Sequence, residues 1–170
     1  VARQEREILL RGTALRADTL AWDPQGRMLA VSLADEPAFL LAEPAAQRSR
    51  RFPSEAPVVL DWAPGSPSVL LLATARDAEH GNAICIWSPE AGGQPRAIWQ
   101  TPSWGVIRSG VVDPTGEWLA VIVADAPENH SQLHMVNLRS GESRLVWDSP
   151  RTLVGLQWAP AGDALYVSQL

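Results

Sequence analysis

The chain predicts an all-β fold built from repeated four-stranded antiparallel units, and three observations carry that prediction. Its apolar runs are short and bounded by Pro, Gly and Asp, as strands of about five residues separated by turns are. A Trp-x-Pro-x-Gly phrase recurs along the chain. Its copies stand 40 to 50 residues apart, a period that holds four short strands rather than one strand and a helix.

The repeat is read from four aligned segments: TLAWDPQGRMLAVS from 19, VLDWAPGSPSVLLLAT from 59, SGVVDPTGEWLAVIV from 109 and GLQWAPAGDALYVS from 155. Their anchors are Trp22, Trp62, Val112 and Trp158. Pro24, Pro64, Pro114 and Pro160 follow two residues later, then Gly26, Gly116 and Gly162, while the second copy carries GSPS in place of a single turn glycine. An apolar strand thus ends at the anchor, proline sets φ for the turn, glycine supplies positive φ, and an apolar strand returns. Proline and glycine two apart exclude a helix there.

After each returning strand comes a polar loop opened by Asp35, Asp77 or Asp125, and then a third apolar run, AFLLA from 38, AICIW from 83 or LHMVNL from 133. A fourth segment carries Phe52, Trp99 or Trp147. Four strands per period make the blade of a β-propeller. The expected layout is one propeller segment over 1–170: an outer strand at 7–11, blades at about 18–53, 57–100 and 106–148, and half a blade from 153 to 170. The stretch VARQEREILLRG also suits a short helix, but Leu9 and Leu10 precede Trp22 at the distance at which Trp99 precedes Val112, which favours a strand. The propeller is therefore expected to be incomplete, a piece of a longer protein, and its open blade edges to invite self-association.

The phrase Trp-x-Pro-x-Gly-x-x-Leu-Ala-Val, at Trp22 to Val31 and in weaker form at Val112 to Val121, resembles the WD-repeat-like blades of TolB-type bacterial propellers. Those blades carry Trp-Ser-Pro-Asp-Gly at this turn. Here Asp or Ala stands for the Ser, and Gln, Thr or Ala for the Asp. The resemblance covers nearly the whole chain and implies fold rather than activity.

Composition narrows the function classes. A net charge of −5 and a pI near 5.1 argue against nucleic acid, whose binding rests on concentrated cations. All 14 basic residues are Arg, which points to a GC-rich, bacterial source. No apolar run approaches the roughly 20 residues of a membrane helix, and no signal peptide is visible, so the segment is expected not to insert into a membrane while its compartment stays open. Cys85, the single cysteine, sits in an apolar run and reads as a core residue.

No Gly-x-Ser-x-Gly elbow and no phosphate-cradling glycine loop occurs, so no catalytic residue is assigned and no cofactor is expected. His80 and His130 share the second-to-third-strand loops with Asp77 and Glu79, and with Asp125 and Glu128. Such a set would bind a divalent metal only if two loops converged, and solvated polar loops account for the same residues, so no metal site is assigned. His134 reads as an edge or packed histidine. In a propeller these loops share one face, where Asp35, Asp77 and Asp125, with Glu79 and Glu128, would create negative potential toward a basic peptide or a cation. The same aspartates also suit strand exits as local turn caps. Seven of the eight Trp fall at regular strand positions that suit blade-to-blade packing, whereas Trp104, in the loop TPSWG, is a candidate partner contact.

The function expected is a non-catalytic scaffold for a protein or peptide partner. Two other arrangements fit the same residues: the substrate-gating propeller of a prolyl-oligopeptidase-like serine peptidase whose catalytic domain lies elsewhere, and a sensor domain tethered to a membrane or a kinase.

Overall fold

The computed structural model describes residues 17–33, 38–53, 57–65, 69–74, 82–92, 94–101, 105–125 and 130–170. The outer strand expected at 7–11 lies outside them. The first blade comprises β1 (Ala17–Trp22), β2 (Leu29–Leu33), β3 (Ala38–Glu43) and β4 (Arg48–Pro53), with a 3-10 turn at Pro44–Ala46. The second holds β5 (Pro57–Ala63), β6 (Val69–Thr74), β7 (Ala83–Trp87) and β8 (Arg96–Gln100). The third holds β9 (Val106–Val112), β10 (Trp118–Asp125), β11 (His130–Asn137) and β12 (Ser143–Ser149), and among the described residues β13 (Leu153–Trp158) and β14 (Leu165–Gln169) form a two-stranded sheet. Within each sheet the strands follow chain order and every pair is antiparallel. The first strands β1, β5, β9 and β13 touch in succession, which sets the blades side by side around a common axis.

The Trp-x-Pro-x-Gly phrase makes the turn its composition demands. In the first blade the Asp23 amide donates to the Met28 carbonyl at 2.8 Å and the Gly26 amide to the Asp23 carbonyl at 2.9 Å, and the pattern repeats at Asp113 to Trp118 and at Ala159 to Ala164. Gly116, at φ 76°, closes the third-blade turn against Pro64 of the preceding turn, so positive φ and close approach coincide at one position.

Apolar runs without alternation arise because a middle strand is covered on both faces. Leu119 to Val123 of β10 are fully buried. Leu119 and Val121 face the second blade, while Ala120 and Ile122 face β13 and β14. In β6 the division is the same, Leu70 and Leu72 toward the first blade and Leu71 and Ala73 toward the third. Cys85 is buried in the layer between the first two blades.

Polar side chains stitch the seams. The Val59 amide donates to Ser32 Oγ at 2.6 Å, the Ile107 amide to Asn82 Oδ1 at 3.0 Å and the Leu153 amide to Ser131 Oγ at 3.1 Å. Trp62 Nε1 donates to the Ala21 carbonyl at 3.0 Å, and Trp158 Nε1 to the Val111 carbonyl at 3.2 Å. Between the second and third blades the anchor is Val112, which has no indole. Asp61 replaces that bond: its Oδ2 accepts from the Val112 amide and its Oδ1 from the Trp62 amide, each at 2.8 Å. Burial pushes the Asp61 carboxyl above its ordinary value, and the Val112 and Trp62 amides oppose the shift.

Outer-strand rings follow the same logic. Phe52 of β4 stacks on Phe39 at 5.2 Å and meets Trp87 of the second blade edge-on at 4.6 Å. Trp99 of β8 lies 5.3 Å from the His134 ring of the third blade. Trp147 of β12, at the corresponding place, is 39% exposed, and Trp22 on the opposite end is 44% exposed. Regular tryptophan spacing thus marks packed seams at Trp62, Trp87, Trp99 and Trp158, but Trp22 and Trp147 depart from that expectation because neither has a further blade against it among the described residues.

Candidate interaction faces

The exits of β2, β6 and β10 define one rim. Asp35, Asp77, Glu79, Glu128 and Trp104, with His80, lie outside the described residues. Asp125 does not open a loop: it is the last residue of β10, paired with His130. His130, expected in that loop, is correspondingly the first residue of β11, because the antiparallel ladder runs unbroken from Trp118–Asn137 to Asp125–His130. Its Nε2 lies 2.5 Å from Asp148 Oδ1 on β12. His134 is the packed histidine its strand position suggests. Its Nε2 meets Gln132 Oε1 at 3.1 Å, and burial holds its pKa below the ordinary value, with Asp148 opposing. Among the described residues no three His, Cys, Asp or Glu side chains gather as a metal site would require.

The opposite rim carries the first-to-second and third-to-fourth strand turns, and here aspartates act as caps. Asp23 Oδ1 accepts the amides of Arg27 and Met28. Asp113 Oδ1 accepts those of Glu117 and Trp118, and its Oδ2 accepts the Thr115 hydroxyl. Burial raises the Asp113 pKa, but the Thr115 hydroxyl and the backbone amides outweigh it and leave the carboxyl below its ordinary value. The Asp that replaces Ser after the anchor is therefore a turn cap.

On this rim a cleft of about 410 Å³ opens between the first two blades. Arg27, Arg48 and Arg50 line it with Glu43 and Glu90, above Met28. Arg27 Nη2 donates to Glu90 Oε1 at 2.9 Å across the seam. Arg48 donates to Glu43 Oε2 through Nε at 3.0 Å and Nη2 at 2.6 Å, and Arg50 Nη2 reaches Glu43 Oε1 at 3.3 Å. The Arg48 hydrogen bond is the main cause holding the Glu43 carboxyl below its ordinary value, and Glu43 in turn raises Arg48. Arg50 also stands 5.7 Å above the Phe52 ring. None of the sequence-derived candidate residues lines this cleft. Its signal was RSRR at 48–51, three cations in four residues on an acidic chain.

No known sequence family and no curated protein matches the chain. Its structure is similar to hydrazine synthase of Kuenenia stuttgartiensis at 17% identity and a TM-score of 0.72, covering 90% of this chain and 43% of that one. It is also similar to TolB from Acinetobacter baumannii, at 12% identity and a TM-score of 0.72 over 94% of this chain and 39% of that one. The β-propeller domain of Myceliophteria thermophila Cps50 (Swd1) matches at 15% identity and a TM-score of 0.65, over 94% and 51%. The chain thus spans about half or less of each of these proteins. Its fold is that of a partial β-propeller, like those of TolB and WD-repeat domains. The same fold occurs in an enzyme and in proteins that carry no enzyme's name, so by itself it assigns no activity.

Proposed function

We propose that this segment is a non-catalytic scaffold that holds a basic protein or peptide partner on the rim bearing Asp35, Asp77 and Asp125, with Glu79, Glu128 and Trp104 as further contacts. The observation that carries this reading is the phase of the blades. β2, β6 and β10 are equivalent strands of sheets set side by side, so their exits lie along one rim, and an aspartate stands at or just beyond each exit. Several carboxylates along one rim create a potential that speeds encounter with a cation-rich surface and selects against acidic ones. The open faces at Trp22 and at β14 add a second mode, association through blade edges.

The test is a triple charge reversal, Asp35→Lys, Asp77→Lys and Asp125→Lys, titrated with a fluorescent octa-arginine peptide at two ionic strengths. Binding to the unmodified chain is expected to weaken with salt, and the variant is expected to lose both the binding and the salt response while keeping its β-sheet circular dichroism. Equal binding by the variant would overturn the acidic rim as the contact surface, and its unfolding would show that the aspartates serve as strand-exit caps instead.

A further inference from the structure

The rim opposite the acidic loops presents a second, differently built surface. The outer strands of the three blades differ in charge: β4 carries Arg48, Arg50 and Arg51, β8 carries Arg96 alone, and β12 sets Arg144 against Asp148. β4 is the last strand of its sheet, so every second residue turns its backbone N–H and C=O away from β3. Arg48 and Arg50 stand two residues apart on one face, about 7 Å along the strand, and that face opens into the cleft that Arg27 closes from the other side.

The guanidiniums are positioned but not used up. Each offers five N–H donors, and Glu43 and Glu90 engage two on Arg48, one on Arg50 and one on Arg27. Their side chains remain 54% exposed at Arg27, 63% at Arg48 and 48% at Arg50. Glu43 braces Arg48 and Arg50, and the Phe52 ring supports Arg50 from below. Preset guanidiniums beside an open strand edge match a carboxylate-bearing strand, since main-chain pairing gives affinity and alternate side-chain contacts give specificity.

We propose that β4 and the adjoining cleft bind an extended acidic peptide, which adds as a fifth strand along β4 and places carboxylates at alternate positions on Arg48 and Arg50, with Arg27 reaching the end of the segment. The competing physical account is that the arginines only blunt an exposed edge against sheet-to-sheet pairing. The two differ in what they demand of the ligand. Strand addition requires acids at every second position, whereas a repelling or merely cationic edge is indifferent to their order.

The probe is a fluorescein-labelled peptide of alternating Glu and Val, compared with a peptide of the same composition whose glutamates form one block, titrated into the 170-residue chain. The alternating peptide is expected to bind at least about fivefold more tightly, and the double variant Arg48→Gln, Arg50→Gln to lose at least about fivefold of that affinity. Hydrogen exchange at the β4 amides should slow when the alternating peptide is present. Equal binding of the two peptides, protection at a strand other than β4, or no effect of the double variant would overturn the proposal. Glu43→Gln guards against misfolding of the arginine variant. Its amide oxygen can still hold Arg48 while the negative charge that competes with the peptide's carboxylates is gone, so tighter binding is expected and unchanged or weaker binding counts against the site.

Discussion

The seam between the first and second blades and the face presented by β12, β13 and β14 are built from the same repeat, yet one is closed and the other open. In the seam, Phe52 meets Trp87, Trp62 is 3% exposed, and its indole reaches the Ala21 carbonyl. At the open end the equivalent outer-strand ring, Trp147, is 39% exposed, and Tyr166, which alternates with the packed Leu165 and Val167 on β14, is exposed as well. Position in the repeat therefore does not determine burial. A blade buries its apolar faces only through the next blade, as expected for an architecture whose stability is a sum of nearest-neighbour interfaces.

Trp62→Ala and Trp147→Ala test that contrast most strongly. The first removes a buried ring and its hydrogen bond and should cost about 3–5 kcal/mol in denaturant unfolding. The second should cost less than about 1 kcal/mol, because the ring is already half in water, and should instead reduce concentration-dependent association in sedimentation. Similar losses for both would mean that the open face is closed in solution.

The polar stitches come next. Ser32→Ala and Asn82→Ala each strand a first-strand amide, at Val59 and Ile107, and should destabilise by about 1–3 kcal/mol. Ser168→Ala changes the residue of β14 that occupies the place of Ser32 in the repeat, but it is exposed and should be near neutral in the same unfolding measurement.

The smallest expected effect is a pH response at the seam between the second and third blades. His134 packs on Trp99 with its pKa held below the ordinary value, about 6.5, so the neutral ring is the form the fold prefers. Its contribution is fully present above that value and declines as pH falls below it. The melting temperature should fall slightly between pH 7.5 and 5.5, and His134→Gln should flatten the profile in that window. Asp113 works elsewhere on the scale: its depressed carboxyl stabilises above about pH 4 and loses that effect on further acidification. An unaltered profile in the His134 variant would assign the response to other groups.

What was legible in the sequence was what a single hairpin dictates. Pro24 and Gly26 determine a turn without help from any neighbour, and the unbroken run Leu119 to Val123 announces a strand covered on both faces. Contacts across a seam were not legible, because they depend on which residues the next blade brings opposite. Asp61 reads as an ordinary polar residue until Val112, 51 residues later, supplies the amide it accepts. Arg27 likewise meets Glu90 only once two blades are side by side. At the β10–β11 hairpin, the Asp125–His130 pairing carries both strands past the expected loop boundary, because strand propensity at a hairpin end yields to the ladder it extends.

Apart from the surface pair in which Arg27 donates forward to Glu90, the hydrogen bonds that cross the seams among the described residues share a polarity. Ser32, Ala21, Asn82, Asp61, Ser131 and Val111 all accept, and in each case the donor belongs to the blade that follows in the chain. An unfilled acceptor is better tolerated than an orphaned N–H. A ribosome releases the amino-terminal blade first, so each blade in turn waits with its acceptors vacant and receives the donors of its successor as they emerge. The repeat is thereby suited to assembly in one direction, in step with synthesis.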